Sequence, residues 1–340
     1  MKKSIDLLVE SYNYSLPKNL IATYPVTPRD SAKLLVYKKR SDKIIHSTFK
    51  NLLDFVDKDT HFIFNDTKVL KARIFGKKSS GGKIELLLNR PLDNGFLVYI
   101  RGKVKEGYKL FFENSLEAVI LKLNKDGSRV VKFFQNGEEL DFYQLIEILD
   151  KIGHIPLPPY INRDDEKLDE EEYQTKFAKN YGAVAAPTAS LHFTDELLSK
   201  IENKHFLTLH VGAGTFKPVE VENILEHKMH SEFFQIPFET KQILESNTKI
   251  IAVGTTSTRT IEYFARTKKS VGECDLFLHP ENRPIRVNHL LTNFHLPKST
   301  LIMLVSSFIG REKTLELYKI AIENSYRFYS YGDAMLILDN

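Results

Sequence analysis

Seven short runs decide the fold: HFIFN (61–65), VLKARIFG (69–76), GKIELLLNR (82–90), FLVYIRGKV (96–104), YKLFF (108–112), EAVILKLN (117–124) and RVVKFF (129–134). Each has the length and the β-branched or aromatic content of a strand, and Gly, Asn or Asp separates most of them. An unbroken series of this kind predicts an antiparallel sheet closed into a small barrel. Outside it the pattern changes. Residues 138–149 and 168–204 carry helical periodicity, and Thr194 stands as an N-cap before DELLSKIENK. KIIAVG (249–254) reads as a buried strand feeding a helix, TTSTRTIEYFARTKK, and residues 317–338 read as helix, turn and strand. The apolar run LIMLVSSFI (301–309) reads as a further buried strand, and the acidic run DDEKLDEEE (164–172) as a solvated loop entering a helix. Mixed sequence on both sides of a strand-only segment predicts an α/β main domain, residues 1–64 and 150–340, with an antiparallel β-barrel, residues 65–149, inserted into it.

The composition, 42% hydrophobic and 27% charged over 340 residues, is that of an ordinary globular protein. The lone Cys274 rules out an internal disulfide and a multi-cysteine zinc site, which points to a reducing compartment, the cytoplasm. The opening MKKSIDLLVE is interrupted by Asp6 and Glu10 and does not read as a signal peptide, and 301–309 is half of the roughly 20 residues that cross a bilayer. The net charge is only +4, yet between Asp66 and Lys109 eleven Lys or Arg face four Asp or Glu. A basic field concentrated on the barrel suits a polyanion such as nucleic acid. The competing reading is a lysine-rich sheet edge that resists aggregation.

Chemistry gathers in five blocks: GAVAAPTASLHFT (182–194), LHVGAGTFKPVE (209–220), HKMHSE (227–232), GTTSTRT (254–260) and TNFHLPKST (292–300). Eight of the eleven histidines lie between residues 182 and 300. In LHVGAGTF a glycine turn, Gly212 to Gly214, sets His210 and Phe216 on either side of a gap, although Pro218 and the missing third glycine depart from a dinucleotide-binding turn. GTTSTRT places Thr255, Thr256 and Ser257 at a helix N-terminus, where free N–H groups favour an anion, with Arg259 one turn on for a bidentate contact. His227, His230 and Glu232 have a spacing open either to zinc or to proton transfer. His192 beside Phe193, and His295 beside Phe294, describe aromatic walls with imidazole edges, and Lys298 adds a point charge.

These blocks, together with SLPKNLIATYP (15–25), PRDSAKLLV (28–36), FNDTKVLKARIFGKK (64–78), PLPPYINR (156–163), YQTKFA (173–178) and YRFYSYGDAMLIL (326–338), closely resemble the S-adenosylmethionine:tRNA ribosyltransferase-isomerase family of queuosine biosynthesis, in order and over nearly the whole chain. Ser190, where the family usually has glycine, and a loose HPENRPIRVNHL (279–290) are the departures. The resemblance implies an α/β domain with an inserted barrel, and transfer of the ribosyl portion of S-adenosylmethionine to a 7-aminomethyl-7-deazaguanine base at the tRNA wobble position. Its products are epoxyqueuosine in tRNA, adenine and methionine. It implies as partners tRNA and S-adenosylmethionine, the latter a consumed substrate, with no other cofactor and no metal; a monomeric protein without a membrane is the accompanying expectation.

On that footing, a sulfonium acidifies the adjacent ribose C5′ and adenine leaves more easily when protonated, so a base and an acid are needed. His192, His210, His230 and His295 are the expected pool, with Glu232 orienting one of them. Phe193, Phe216 and Phe294 would face adenine or the sulfonium beside the turn Gly212 and Gly214, and Thr255, Thr256, Ser257, Arg259 and Lys298 would hold a carboxylate or phosphate. Arg29, Lys68, Lys71, Arg73, Lys77 and Lys78 would receive tRNA. All the catalytic groups are expected in one cavity. The rivals are a methyltransferase, a non-catalytic RNA-binding protein and a metallohydrolase.

Overall fold

A computed structural model describes residues 5–216 and 219–340, the side chains of Thr215 and Phe216 excepted. Short 3₁₀ turns lead into the hairpin β1 (Lys33–Lys38) and β2 (Lys43–Thr48), then β3 (His61–Asn65) and β4 (Thr67–Val69). Six strands follow: β5 (Arg73–Lys78), β6 (Lys83–Leu92), β7 (Gly95–Arg101), β8 (Lys109–Phe112), β9 (Leu116–Leu123) and β10 (Ser128–Gln135). They pair antiparallel in the order β10-β7-β6-β5-β8-β9, and β9 pairs back to β10, so the sheet closes. Alternate residues fill the interior, among them Ile84, Leu86 and Leu88 of β6 and Val131 and Phe133 of β10. The two-residue strand β11 (Glu138–Glu139) folds back to pair antiparallel with the end of β10, and α1 (Phe142–Ile152) follows, started by an Asp141–Gln144 capping box. Its Leu145, Ile146, Ile148 and Leu149 join the barrel core, each contributing about 1.5–3 kcal/mol by burial.

The chain then passes α2 (Asp169–Glu172), β12 (Asn180–Ala183), which pairs in parallel with β4, and α3 (Asp195–Ser199). The remaining strands are β13 (Lys204–Leu209), β14 (Glu232–Gln235), β15 (Ile250–Val253), β16 (Val271–Cys274), β17 (His289–Asn293) and β18 (Ala334–Leu338), interspersed with α4 (Phe238–Glu245), α5 (Thr255–Thr267), α6 (Thr300–Ile309) and α7 (Arg311–Glu323). A nine-stranded mixed sheet runs β16-β14-β13-β3-β15-β17-β18-β1-β2. Its centre, β13, β3, β15 and β17, is parallel. Every residue of β15 is buried, Ile250 and Ala252 in a core with α5, α6 and α7, Ile251 and Val253 in one with Phe64 and Phe193. Covered faces of this kind are what a parallel sheet requires.

Four expectations fail locally. HFIFN is β3 of the main sheet, parallel to β13 and β15, and not a barrel strand, because a short apolar run reads alike in either sheet. LIMLVSSFI is helical, within α6, with Ser299 capping it through the Ile302 N–H; an all-apolar run lacks the period that separates a buried helix from a strand. Across 168–204 only α2 and α3 are helical, and β12 and a 3₁₀ turn lie between them. Charged side chains there mimicked an amphipathic pattern. The acidic run is not wholly solvated either: Asp169 is buried, held by Arg163 at 2.6 and 2.8 Å and by the Tyr331 hydroxyl at 2.7 Å. Thr194 caps α3 as expected.

Candidate active site

The carboxyl ends of β3, β13, β15 and β17 lie along one edge of the sheet, where parallel α/β proteins place their ligands. FNDT, LHVGAG, GTTS and TNFH each start on one of these ends. Asn65, wholly buried, ties the edge together. Its amide pairs with the backbone of Leu209 at 2.9 and 3.0 Å, accepts from Thr67 N at 3.2 Å and donates to Thr256 Oγ1 at 3.1 Å.

On one side of this clamp is a groove of about 450 Å³ between barrel and main sheet. The sheet side supplies His210, Gly212, Gly214, His230, Glu232 and Phe233; Asn89, Arg90 and Tyr99 come from the barrel, and Tyr181 from β12. A bulge in β6 between Leu88 and Arg90 turns Asn89 outward, and its Oδ1 accepts from Ala213 N at 2.9 Å. The His210 ring lies parallel to Phe233 with centroids 5.8 Å apart, and its Nδ1 is 2.8 Å from Thr67 Oγ1. Burial pushes this imidazole down to about 4. Glycines admit both rings: a Cβ at Gly182 would stand 2.7 Å from His210 Cδ2, and one at Gly214 2.5 Å from His230 Cδ2. Glu232 is buried, accepting from Gly212 N at 2.9 Å through one oxygen and from Arg259 through the other.

The other side holds a narrower cavity of about 80 Å³, lined by Gly254, Thr255, Thr256, Asn293, Phe294 and His295, with Tyr160, Tyr173 and Tyr329. Gly254, at φ +90°, lets β15 turn into α5, whose first N–H groups begin there. His295 pairs through Nε2 with Thr292 Oγ1 at 2.8 Å, and burial pushes it down to about 3. Val211 lines this cavity while His210 and Gly212 line the groove, because neighbours along an extended segment face opposite ways.

The expected single cavity is therefore two, and several expected residues line neither. His192 is buried against Phe49, its Nε2 3.2 Å from Asn293 Nδ2, and is pushed down to about 3 by burial with Arg327 and Arg29 nearby. Phe193 packs in the core on Phe49 and Phe64, and Ser257 is fully buried. The guanidinium of Arg259 is committed to Glu232 and to the carbonyls of Leu276 and Cys274 at 3.1 and 3.2 Å. Lys298 reaches Glu10 at 3.3 Å. The side chain of Phe216 lies outside the described residues.

Among the basic residues, Arg29 is buried, 3.1 Å from Glu172, and donates to three backbone carbonyls. Lys68 lies over Tyr181 at 4.3 Å, Lys71 pairs with Glu170 at 2.8 Å and Arg73 with Glu85 at 2.7 Å. Arg73 and Arg101 line a second groove, about 600 Å³, that shares Tyr99 with the first. Lys77 and Lys78 have no carboxylate partner among the described residues. Among the described residues, no three His, Cys, Asp or Glu side chains are grouped to hold a metal, and no helix is long and apolar enough to cross a membrane.

A profile of the queuosine biosynthesis proteins matches residues 9–337. The chain belongs to that family. It is 65% identical over 336 residues to the S-adenosylmethionine:tRNA ribosyltransferase-isomerase of Aliarcobacter butzleri, covering 98% of this chain and 99% of that one. It is 61% identical over 340 residues to the protein of that name from Campylobacter jejuni, with the same coverage. The crystal structure of an S-adenosylmethionine tRNA ribosyltransferase from Thermotoga maritima aligns with TM-score 0.54 and 34% identity, over 96% of this chain and 100% of that one. A barrel joined to a mixed α/β sheet is thus the family's fold in this chain. Residue pattern alone gives no role to Asn65, Thr67, Gly182, Tyr99, Tyr181 or Phe233, all of which the structure brings to the site. The available signal was position: FNDT follows an apolar strand just as the other blocks do.

Proposed function

We infer that this protein is an S-adenosylmethionine:tRNA ribosyltransferase-isomerase of queuosine biosynthesis. It transfers and isomerises the ribosyl portion of S-adenosylmethionine onto 7-aminomethyl-7-deazaguanine at the tRNA wobble position, yielding epoxyqueuosine-tRNA, adenine and methionine. Near-full-length identity to proteins of that name supports the activity. The observation that carries the site is the groove where His210, His230 and Glu232 meet aromatic side chains between barrel and sheet.

Its parts suit the chemistry. Phe233, Tyr99 and Tyr181 offer flat faces to a base already unpaired in an anticodon loop. Imidazoles that are neutral near pH 7 can take the proton that a sulfonium acidifies, and the resulting imidazolium can return one to departing adenine. The helix N-terminus at Thr255 and Thr256 suits a carboxylate or phosphate. Glu232 acts by holding the Gly212 turn, with Arg259 behind it. Exposed lysines of the barrel, Lys77 among them, receive the anticodon stem electrostatically. Our reading takes S-adenosylmethionine as a consumed substrate with no metal or further cofactor, in a monomeric cytoplasmic protein.

The test is the identity of the small molecules released from S-adenosylmethionine and precursor-bearing tRNA. Adenine and methionine, with a mass gain on the tRNA, are expected. S-adenosylhomocysteine would mean a methyltransferase and would overturn the reading.

A further inference from the structure

Among His192, His210 and His295, hydrogen bonding sets His210 apart. His192 is enclosed, its Nε2 facing the Asn293 amide, and His295 has Nε2 on Thr292. At His210 it is Nδ1 that is engaged, 2.8 Å from Thr67 Oγ1, while Nε2 has no hydrogen-bond partner among the described residues and the ring lines the groove. Thr67 has a single hydroxyl proton to give. Its other polar neighbour, the Asn180 carbonyl at 3.5 Å, can only accept. With the hydroxyl proton directed there, Oγ1 accepts from Nδ1–H, and the lone pair of His210 is on Nε2.

We propose that Thr67 is a positioning residue that fixes His210 in the Nδ1-protonated tautomer, so that the unprotonated Nε2 faces the groove and takes the ribose C5′ proton. The proposal rests on the function inferred above. In the step, the C5′–H bond breaks, its electron pair stays on the carbon beside the sulfonium, and an N–H bond forms at Nε2. The imidazolium keeps its Nδ1–H on Thr67. The backbone of Gly182 against the ring and Phe233 parallel to it hold the orientation. Burial keeps the ring neutral near pH 7, as a base must be before reaction.

Nitrogen-15 spectra of the full-length histidine-labelled protein, with His210 assigned by its loss in His210→Gln, should show Nδ1 protonated and Nε2 bare. Thr67→Val should lower kcat for adenine release about 10- to 100-fold, the range known for losing the outer partner that orients a metal-bound imidazole. It should leave KM little changed, shift the acidic limb of the kcat–pH profile and mix the tautomers, and Thr67→Ser should restore most of the rate. A dominant Nε2–H in the wild type, or a folded Thr67→Val with unaltered kcat and pH profile, would overturn the proposal. If Thr67→Val does not fold, the wild-type nitrogen spectrum decides alone. If His210→Gln releases adenine at the wild-type rate, the base assignment fails while the function stands; if wild-type protein releases none, the function itself fails.

Discussion

His192 and His295 show what burial does to an imidazole that chemistry has not claimed. Both are pushed down to about 3 from 6.5, chiefly because a charged ring has lost its water. Below pH 6.5 the unfolded chain binds protons at these sites and the native protein does not, so stability falls as pH falls. Each should contribute a loss of about 1.4 kcal/mol per pH unit until the native values near 3 are reached. Urea unfolding at pH 7 and pH 4.5 measures it, and His192→Asn should flatten the dependence; an unchanged slope would show that His192 protonates natively. Gly182 makes the opposite case, where absence of a side chain serves a neighbour. Gly182→Ala puts a methyl 2.7 Å from the His210 ring, an overpacking cost of about 1–3 kcal/mol, and should abolish most activity in a protein that still folds. Circular dichroism with an adenine-release assay separates the two effects.

Between elements, the Glu232–Arg259 pair fastens the start of β14 to α5 and, through Gly212 N, to the turn after β13. Both side chains are buried, so Arg259→Met strands a carboxylate and should cost about 3–5 kcal/mol in urea unfolding, while adding Glu232→Gln should recover much of it. Equal stability of the single and double variants would show the pair to be unimportant. This contact also marks where the sequence stops being informative. The barrel strands were legible because alternation and turn residues are local signals, and α5 because a buried strand, glycine and hydroxyls precede it. The helix α6 was not, since a run buried on every side has no period to read. The blocks LHVGAG, GTTS and TNFH were visible as glycine, hydroxyl or imidazole residues at the end of an apolar run. Their division between two cavities was hidden, because it depends on which way His210 and Val211 face and on Arg259 finding Glu232, both set by packing across elements.

Over the whole molecule, a net charge of +4 conceals how the basic residues are used. Arg29, Lys71 and Arg73 neutralise carboxylates of the protein, fastening 164–172 and the barrel wall in place, and so have less to offer a polyanion. Lys77 and Lys78 on β5 have no such partner among the described residues, and Lys77 is exposed. On the barrel, Asn89, Arg90 and Tyr99 complete the groove, Arg90 reaching Glu273 of the main sheet at 3.4 Å, while Lys77 is exposed to solvent and Lys78 donates to the Lys103 carbonyl at 3.2 Å. If those lysines neutralise RNA phosphates, replacing both with alanine should weaken tRNA binding at low salt and flatten the slope of log K against log salt by about 1.4 to 1.8, at 0.7 to 0.9 per phosphate. The rate of adenine release at saturating tRNA should not change, because neither side chain enters the groove. Filter binding across a salt series with single-turnover kinetics checks both halves. A slope equal to that of the wild type would move the RNA contact off β5 and onto the groove mouths lined by Arg90 and Arg101.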